Sequence, residues 1–202
     1  MFDRNQIKKI ICIKPRGIGD IVLSTIILEN LKNFFLDATI DYLTEDFAKD
    51  ALSNNPFINK VITFKKKDFF LKVALKIRKE KYDIVFDLWS NPKTAQITFC
   101  SGIKYRVGYA YRGRSYAYNI KATTSRGGET HSAEHNLEIL KPLNIPIISK
   151  NIHYYCNKDD LLKAKLFLEA NSFTQNIIGI IPSGGWESKR CPKEKWVEIC
   201  SV

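Results

Sequence analysis

The chain has 202 residues, 45% of them hydrophobic and 12% aromatic, and its 32 lysines and arginines against 21 aspartates and glutamates give a net charge of +11. That apolar content supports a packed core and excludes a disordered tail; no run approaches the roughly 20 apolar residues of a membrane span, and MFDRNQIKKIICIK lacks the apolar run of a secretory leader. Five widely spaced cysteines without a C-x-x-C pair exclude a disulfide framework and argue against zinc or redox chemistry, so they read as reduced thiols of a cytoplasmic protein.

In chain order, KKIICIK reads as a strand, IVLSTIILENLKNFF as a helix, ATIDYLT as a strand and residues 45–52 as a helix. KVITF is then a strand, FFLKVALKIRKEK a helix and YDIVFDLW a strand. The alternation predicts βαβ units, an α/β fold with a Rossmann-like parallel sheet and helices on both faces. Leu23, Ile27, Leu31 and Phe34 fall on one helical stripe, and Phe70, Val73, Ala74 and Ile77 on another, so both stripes face the core. A helix follows over residues 92–100 and a strand over 105–108. The polar, aromatic stretch YAYRGRSYAYNIKATTSRGGE, residues 109–129, reads as a long functional loop or irregular hairpin. Residues 131–143 regain helical period through Ala133, Leu137 and Leu140, and Pro142, Asn144 and Pro146 mark a break.

The first domain is therefore expected over residues 1–157, and a second, incomplete unit over 158–202. In the second, residues 159–170 form a helix, IIGIIPSGG a strand running into a glycine turn, and PKEKWVEICSV a helix with Pro192 in its first turn. The pattern stops inside that helix, which predicts truncation.

Two segments can carry chemistry. In KPRGIGDIVLST, Gly17 and Gly19 bracket one residue at the carboxyl end of the first strand, where ligands of such sheets bind and where glycine lets backbone N–H groups approach an oxygen-rich molecule. The third glycine of the dinucleotide fingerprint is missing, Val22 standing at its place ahead of Leu23 and Ser24, and so is the Lys-Ser/Thr pair of a P-loop. Asp20 reads both as a helix N-cap and as a general base that takes the proton of an acceptor alcohol; the roles are compatible. In IPSGGWESKRCP, the turn Ser183-Gly184-Gly185 beside Lys189 and Arg190 suits a phosphate, or equally a solvated turn.

Arg16-Gly17-x-Gly19-Asp20 before an apolar helix, then DATIDYLTEDFAKDALSNNPFINKVITF, YDIVFDLWSNPKTA, SGIKYRVGY, H-x-x-x-HNLEIL and PSGGWESKRCPKEKW, resemble the ordered motifs of family 9 glycosyltransferases, the ADP-heptose:lipopolysaccharide heptosyltransferases. The resemblance implies the GT-B arrangement, in which two Rossmann-like domains face a cleft. It also implies inverting, metal-independent and cofactor-free transfer of a heptose or related sugar from a nucleotide diphosphate donor to an anionic lipopolysaccharide core, with peripheral contact at the inner membrane surface and no nucleic-acid partner. Asp20 then matches the catalytic base. Lys189, with Ser183, Gly184 and Gly185, matches the donor-phosphate site, while Arg16, Gly17, Gly19, Arg106, Arg112 and Arg114 lie toward the acceptor. The family's later D-x-G/H-L-A-type nucleotide-sugar segment is absent, so the polypeptide is expected neither to bind donor well nor to turn over.

Three rival patterns remain. His131-Ser-Ala-Glu134-His135 fits the H-x-x-E-H string of zinc proteases, or an exposed helix start. An oxidoreductase would place Asp41, at the end of the second strand, on a nucleotide ribose. A nucleic-acid module would use the net charge and the tyrosines of residues 105–118.

Overall fold

Six strands carry the first of two units, whose boundary falls between Asn157 and Lys158 in the computed structural model. The structure describes residues 2–123, 131–171, 173 and 177–201. The strands are β1 (Lys9–Ile13), β2 (Thr39–Glu45), β3 (Lys60–Phe64), β4 (Ile84–Asp87), β5 (Tyr105–Tyr109) and β6 (Ile120–Ala122), ordered β3-β2-β1-β4-β5-β6. Every neighbouring pair is parallel.

The pleat sends alternate residues to opposite faces. Ile10 and Cys12 of β1, Ile40 and Tyr42 of β2, and Ile84 and Phe86 of β4 join one buried cluster with Ile21, Ile27, Leu28, Leu31 and Leu137. Ile11 and Ile13, Leu43 and Val85 join the other, beneath Val73, Ala74, Ile77 and Ile97. Burial on both faces explains why these strands are continuous apolar runs. Each such side chain contributes roughly 1.5–3 kcal/mol by leaving water.

The helix predicted after β1 is three pieces: α1 (Ile18–Ser24), a 3-10 turn over Thr25–Ile27, and α2 (Leu28–Phe34). The hydroxyls of Ser24 and Thr25 donate to the carbonyls three residues back, Ile21 at 2.6 Å and Val22 at 2.7 Å, which tightens the winding there. Residues 46–52 likewise wind as a 3-10 helix. On the opposite face lie α3 (Phe70–Lys79) and α4 (Pro92–Cys100); α4 opens with a capping box between Asn91 and Thr94 and with proline at its first position.

The loop or hairpin expected over residues 109–129 is corrected. Within it lies β6, which runs parallel to β5 and so cannot form a hairpin with it. Arg106 ties the crossover down, with Nε donating to Ala117 O at 2.8 Å and a guanidinium nitrogen to Ile103 O at 2.9 Å. The Tyr118 ring lies where a side chain at Gly108 would stand. Residues 124–129 lie outside the described residues.

Residues 131–143 divide into α5 (Ser132–Leu137) and a 3-10 segment, Glu138–Leu143, that accommodates Pro142 and ends on Asn144 in the left-handed conformation at φ 52°. The irregular segment that follows is tied to α2 by hydrogen bonds. There the buried Asn30 accepts the N–H groups of Ile148 (2.8 Å) and Ser149 (3.1 Å) and donates to Ser149 O.

The second unit contains α6 (Lys158–Ala170), a 3-10 turn over Glu187–Lys189 and α7 (Lys193–Cys200). The strand expected over residues 177–181 is absent: these residues form no ladder, because among the described residues of this unit there is no second strand for them to pair with.

Candidate functional site

In a parallel sheet of this kind the ligand crevice opens at the carboxyl edge, where successive strands depart to opposite sides of the first. Here β2 and β3 lie to one side of β1, and β4, β5 and β6 to the other. The crevice is therefore framed by residues 14–19 after β1 and 88–91 after β4.

The turn after β1 depends on Gly17, at φ 78° and ψ 103°. Gly17, not Asp20, holds the N-cap position, and no side chain caps α1. Asp20 sits in the first turn, an exposed carboxylate favoured there by the helix dipole. It folds back over Gly17, so that a methyl on Gly17 would strike its Oδ2. A methyl on Gly19, by contrast, would meet nothing within 4 Å. The fold needs glycine at 17 and leaves open space at 19.

Three side chains that sequence reasoning passed over line the same edge. Lys14, 7% exposed, directs its ammonium to Leu88 O (3.2 Å) and Asn136 Oδ1 (3.4 Å) and sits 5.0 Å from the Trp89 ring centre. Asn136 comes from α5, 122 residues away, so only the fold brings the pair together. Glu45 ends β2, buried at 8% exposure, with Oε1 3.9 Å from Arg16 Nε. For Lys14 and Glu45 the available signal was positional: one directly follows β1 and the other ends β2, both apolar strands.

The turn after β4 is built on Asp87, which is fully buried. Its Oδ1 accepts the N–H groups of Trp89 (3.1 Å) and Ser90 (2.8 Å), and its Oδ2 accepts the Tyr118 hydroxyl at 2.7 Å. Ser90 is thereby held at φ 47°, and its Oγ accepts the Tyr109 N–H at 3.0 Å. Burial raises the Asp87 carboxyl above its ordinary value, against the Ser90 N–H, the Tyr118 and Thr94 hydroxyls and the Trp89 N–H, which favour the anion. Next to it the Tyr109 ring stacks on His135, with centroids 4.8 Å apart and planes at 10°.

The predicted arginines separate. Arg16 is exposed beside Asp20's turn. Arg112 and Arg114 lie in the turn after β5, on the carboxyl edge, with Arg112 exposed and Arg114 stacked 4.9 Å from the Tyr111 ring. Arg106 pairs in register with Val85 in the amino half of β5, and its guanidinium is occupied by the Ile103 and Ala117 carbonyls. It is a structural residue of the crossover.

In the second unit, Ser183, Gly185 and Lys189 are exposed. The turn closes through Arg190 Nε donating to Gly184 O at 2.9 Å and the Lys189 N–H donating to Trp186 O at 3.0 Å. A side chain at Gly184 would press on Lys189 O, 3.1 Å away.

Two of the rival patterns lose their geometry. Asp41 does not end β2: the strand runs on to Glu45, and Asp41 is buried with Tyr82 Oη at 2.5 Å and Asn59 Nδ2 at 2.8 Å. In H-x-x-E-H, His131 Nδ1 accepts the Ala133 N–H as the cap of α5, and Glu134 pairs with Lys150 at 2.7 Å. His135 lies against Tyr109. Among the described residues no group of three histidine, cysteine or acidic side chains could hold a metal ion. Among them, too, no helix is long and apolar enough to cross a membrane.

A sequence model of glycosyltransferase family 9 (heptosyltransferase) matches residues 70–202. Lipopolysaccharide heptosyltransferase 3 of Escherichia coli K12 is 30% identical over 137 residues, covering 63% of this chain and 40% of that protein. Lipooligosaccharide heptosyltransferase 2 of Haemophilus ducreyi is 25% identical, covering 96% of this chain and 60% of that protein. The solved structure of a family 9 glycosyl transferase from Veillonella parvula superposes with a TM-score of 0.83 at 20% identity, over 98% of this chain and 60% of that one. Heptosyltransferase II of E. coli does so with a TM-score of 0.74, also at 20% identity, over 96% of this chain and 60% of that one. The structural likeness establishes the fold. The chain spans between two fifths and three fifths of the length of these relatives.

Proposed function

Since the chain belongs to glycosyltransferase family 9, the heptosyltransferase family, we propose that it serves transfer of a heptose from ADP-heptose to a hydroxyl of the lipopolysaccharide inner core. The observation that carries this reading is the exposed Asp20 carboxylate at the carboxyl edge of β1, next to the open space over Gly19. An acceptor alcohol enters against the backbone at Gly19, with its O–H toward Asp20. The carboxylate takes the hydroxyl proton as the oxygen forms its bond to the anomeric carbon; the bond from that carbon to the diphosphate breaks, and ADP leaves with the electron pair. Attack from the face opposite the leaving group inverts the anomeric centre.

Arg16, Arg112 and Arg114 supply positive charge for the anionic core, and the bidentate geometry of guanidinium suits its phosphates and carboxylates. Lys14 and Trp89 lie together at the same edge, Trp89 held by the Asp87 turn. In the second unit, Lys189 with the Ser183–Gly185 turn holds the donor diphosphate and stabilises the charge that develops on it. The reaction needs no metal in this scheme, because cations of the protein neutralise the leaving group. The site of action is the cytoplasm, at the inner membrane surface.

The test is release of ADP from ADP-heptose with a deacylated lipopolysaccharide core, in a form of the chain extended to the length of its relatives. Acceptor-dependent release supports the reading. Release that is indifferent to acceptor, or transfer only from other nucleotide sugars, sinks it.

A further inference from the structure

The α3 helix has a face that neither the core nor the site uses. Phe70, Val73, Ala74 and Ile77 turn inward onto the sheet. At 100° per residue, Leu71, Leu75, Lys79, Lys72 and Lys76 then occupy an arc of about 140° centred opposite that stripe. Leu71 is 40% exposed, Leu75 54%, and Phe69, at the helix start, 62%. Three consecutive exposed cations, Lys65, Lys66 and Lys67, form the turn before the helix. Lys93 of α4 is bound to the same turn, its ammonium 2.7 Å from Lys66 O.

Acidic relief is slight. Asp68 is the one carboxylate in that turn, and its charge is held in place: the Lys65 N–H, at 2.8 Å, and the fields of Lys72, Lys93 and Lys65 keep it below the usual carboxylate range. Glu80, beyond the helix, is engaged by Lys60 at 2.9 Å and Lys9 at 3.8 Å. A face that only solvates the protein has no use for Phe69, Leu71 and Leu75 among its lysines. Apolar side chains ringed by cations are what a surface carries when one layer of its partner is anionic and the next is hydrocarbon.

We propose that the turn Lys65–Asp68 and the outer face of α3 dock on an anionic phospholipid bilayer, with the lysines among the headgroups and Phe69, Leu71 and Leu75 at the acyl boundary. The inference rests on the geometry of α3 and not on the reaction proposed above. A nucleic acid would match the charge but would leave the two leucines without a role, since bases stack on rings and not on aliphatic side chains.

The experiment is co-sedimentation of the 202-residue chain with vesicles of mixed phosphatidylglycerol and phosphatidylcholine, against phosphatidylcholine alone. Wild type should sediment with the anionic vesicles and not with the neutral ones. Replacing Lys65, Lys66 and Lys67 together by glutamine should lower partitioning on the order of 100-fold. The charge-neutral pair Leu71→Ser and Leu75→Ser should lower it about tenfold, and circular dichroism melts should show both variants folded, since every changed side chain is exposed. Failure of wild type to sediment with anionic vesicles overturns the proposal. So does equal sedimentation of wild type and the leucine variant, the result for a purely Coulombic polyanion site.

Discussion

Gly17 and Gly19 stand two residues apart and look equivalent in the sequence, yet alanine should act oppositely at the two positions. Gly17 has φ 78° and ψ 103°, a backbone conformation costing roughly 1–3 kcal/mol for a residue with a side chain, and its new methyl would displace the Asp20 carboxylate. Gly19 lies inside α1 with nothing within 4 Å of the added methyl, so alanine there should gain about 0.5–1 kcal/mol of helix propensity. For a unit of this size each kcal/mol moves Tm by roughly 2–4 °C. Gly17→Ala should therefore lower Tm by roughly 2–12 °C and Gly19→Ala raise it by about 1–4 °C, read by calorimetry or circular dichroism. Despite its greater stability, the Gly19 variant should bind the lipopolysaccharide core more weakly, because the methyl stands where an acceptor would approach the backbone. A Gly19→Ala protein as destabilised as Gly17→Ala would refute the geometry of this turn, and one with unchanged core binding would refute its use.

Other substitutions separate structural from binding roles. Asp87→Asn should cost about 1–3 kcal/mol in urea unfolding: the amide oxygen can still accept the Trp89 and Ser90 N–H groups, but the NH2 in place of Oδ2 cannot accept the Tyr118 hydroxyl. The folded pKa of Asp87 is raised, so its favourable contribution is full below the unfolded pKa and is lost as pH rises through the folded one; the Asn deficit should be larger in acid and shrink with rising pH. Arg106→Ala should lose about 1.5–3 kcal/mol of stability through its two carbonyl contacts. Arg112→Ala, on an exposed turn, should stay within roughly 0.5 kcal/mol of wild type while weakening core binding, as titration calorimetry would show. Lys189→Ala in an extended form should raise KM for donor and leave acceptor affinity alone; a change confined to acceptor affinity would contradict the phosphate assignment.

Much of the sheet could be read from residues because IICI and IVFD are buried on both faces and show as unbroken apolar runs. The crossover between β5 and β6 could not, since what makes it a parallel strand is Arg106 reaching Ala117 and Tyr118 covering Gly108, contacts with no local signature. Asp41 was misplaced because β2 continues four residues past it, through Tyr42, Leu43 and Thr44 to Glu45. Asp20 was singled out by its motif, but its N-cap role was misassigned: position alone does not reveal that the positive φ of Gly17 starts the helix three residues earlier. Lys14 and Asn136 meet only through the fold. The predicted strand over 177–181 had the right composition, but a strand needs a partner as well as a propensity.

The central claim is that Asp20 acts as the base at the carboxyl edge of β1, and it is tested most directly by sugar transfer in an extended form carrying Asp20→Asn. The amide is close to isosteric and Asp20 caps no helix, so only the helix-dipole contribution is lost; Asp20→Asn should melt within about 4 °C of wild type, bind the core unchanged and lose roughly 10²–10⁴-fold in kcat. Transfer at the wild-type rate by a folded Asp20→Asn protein would contradict it.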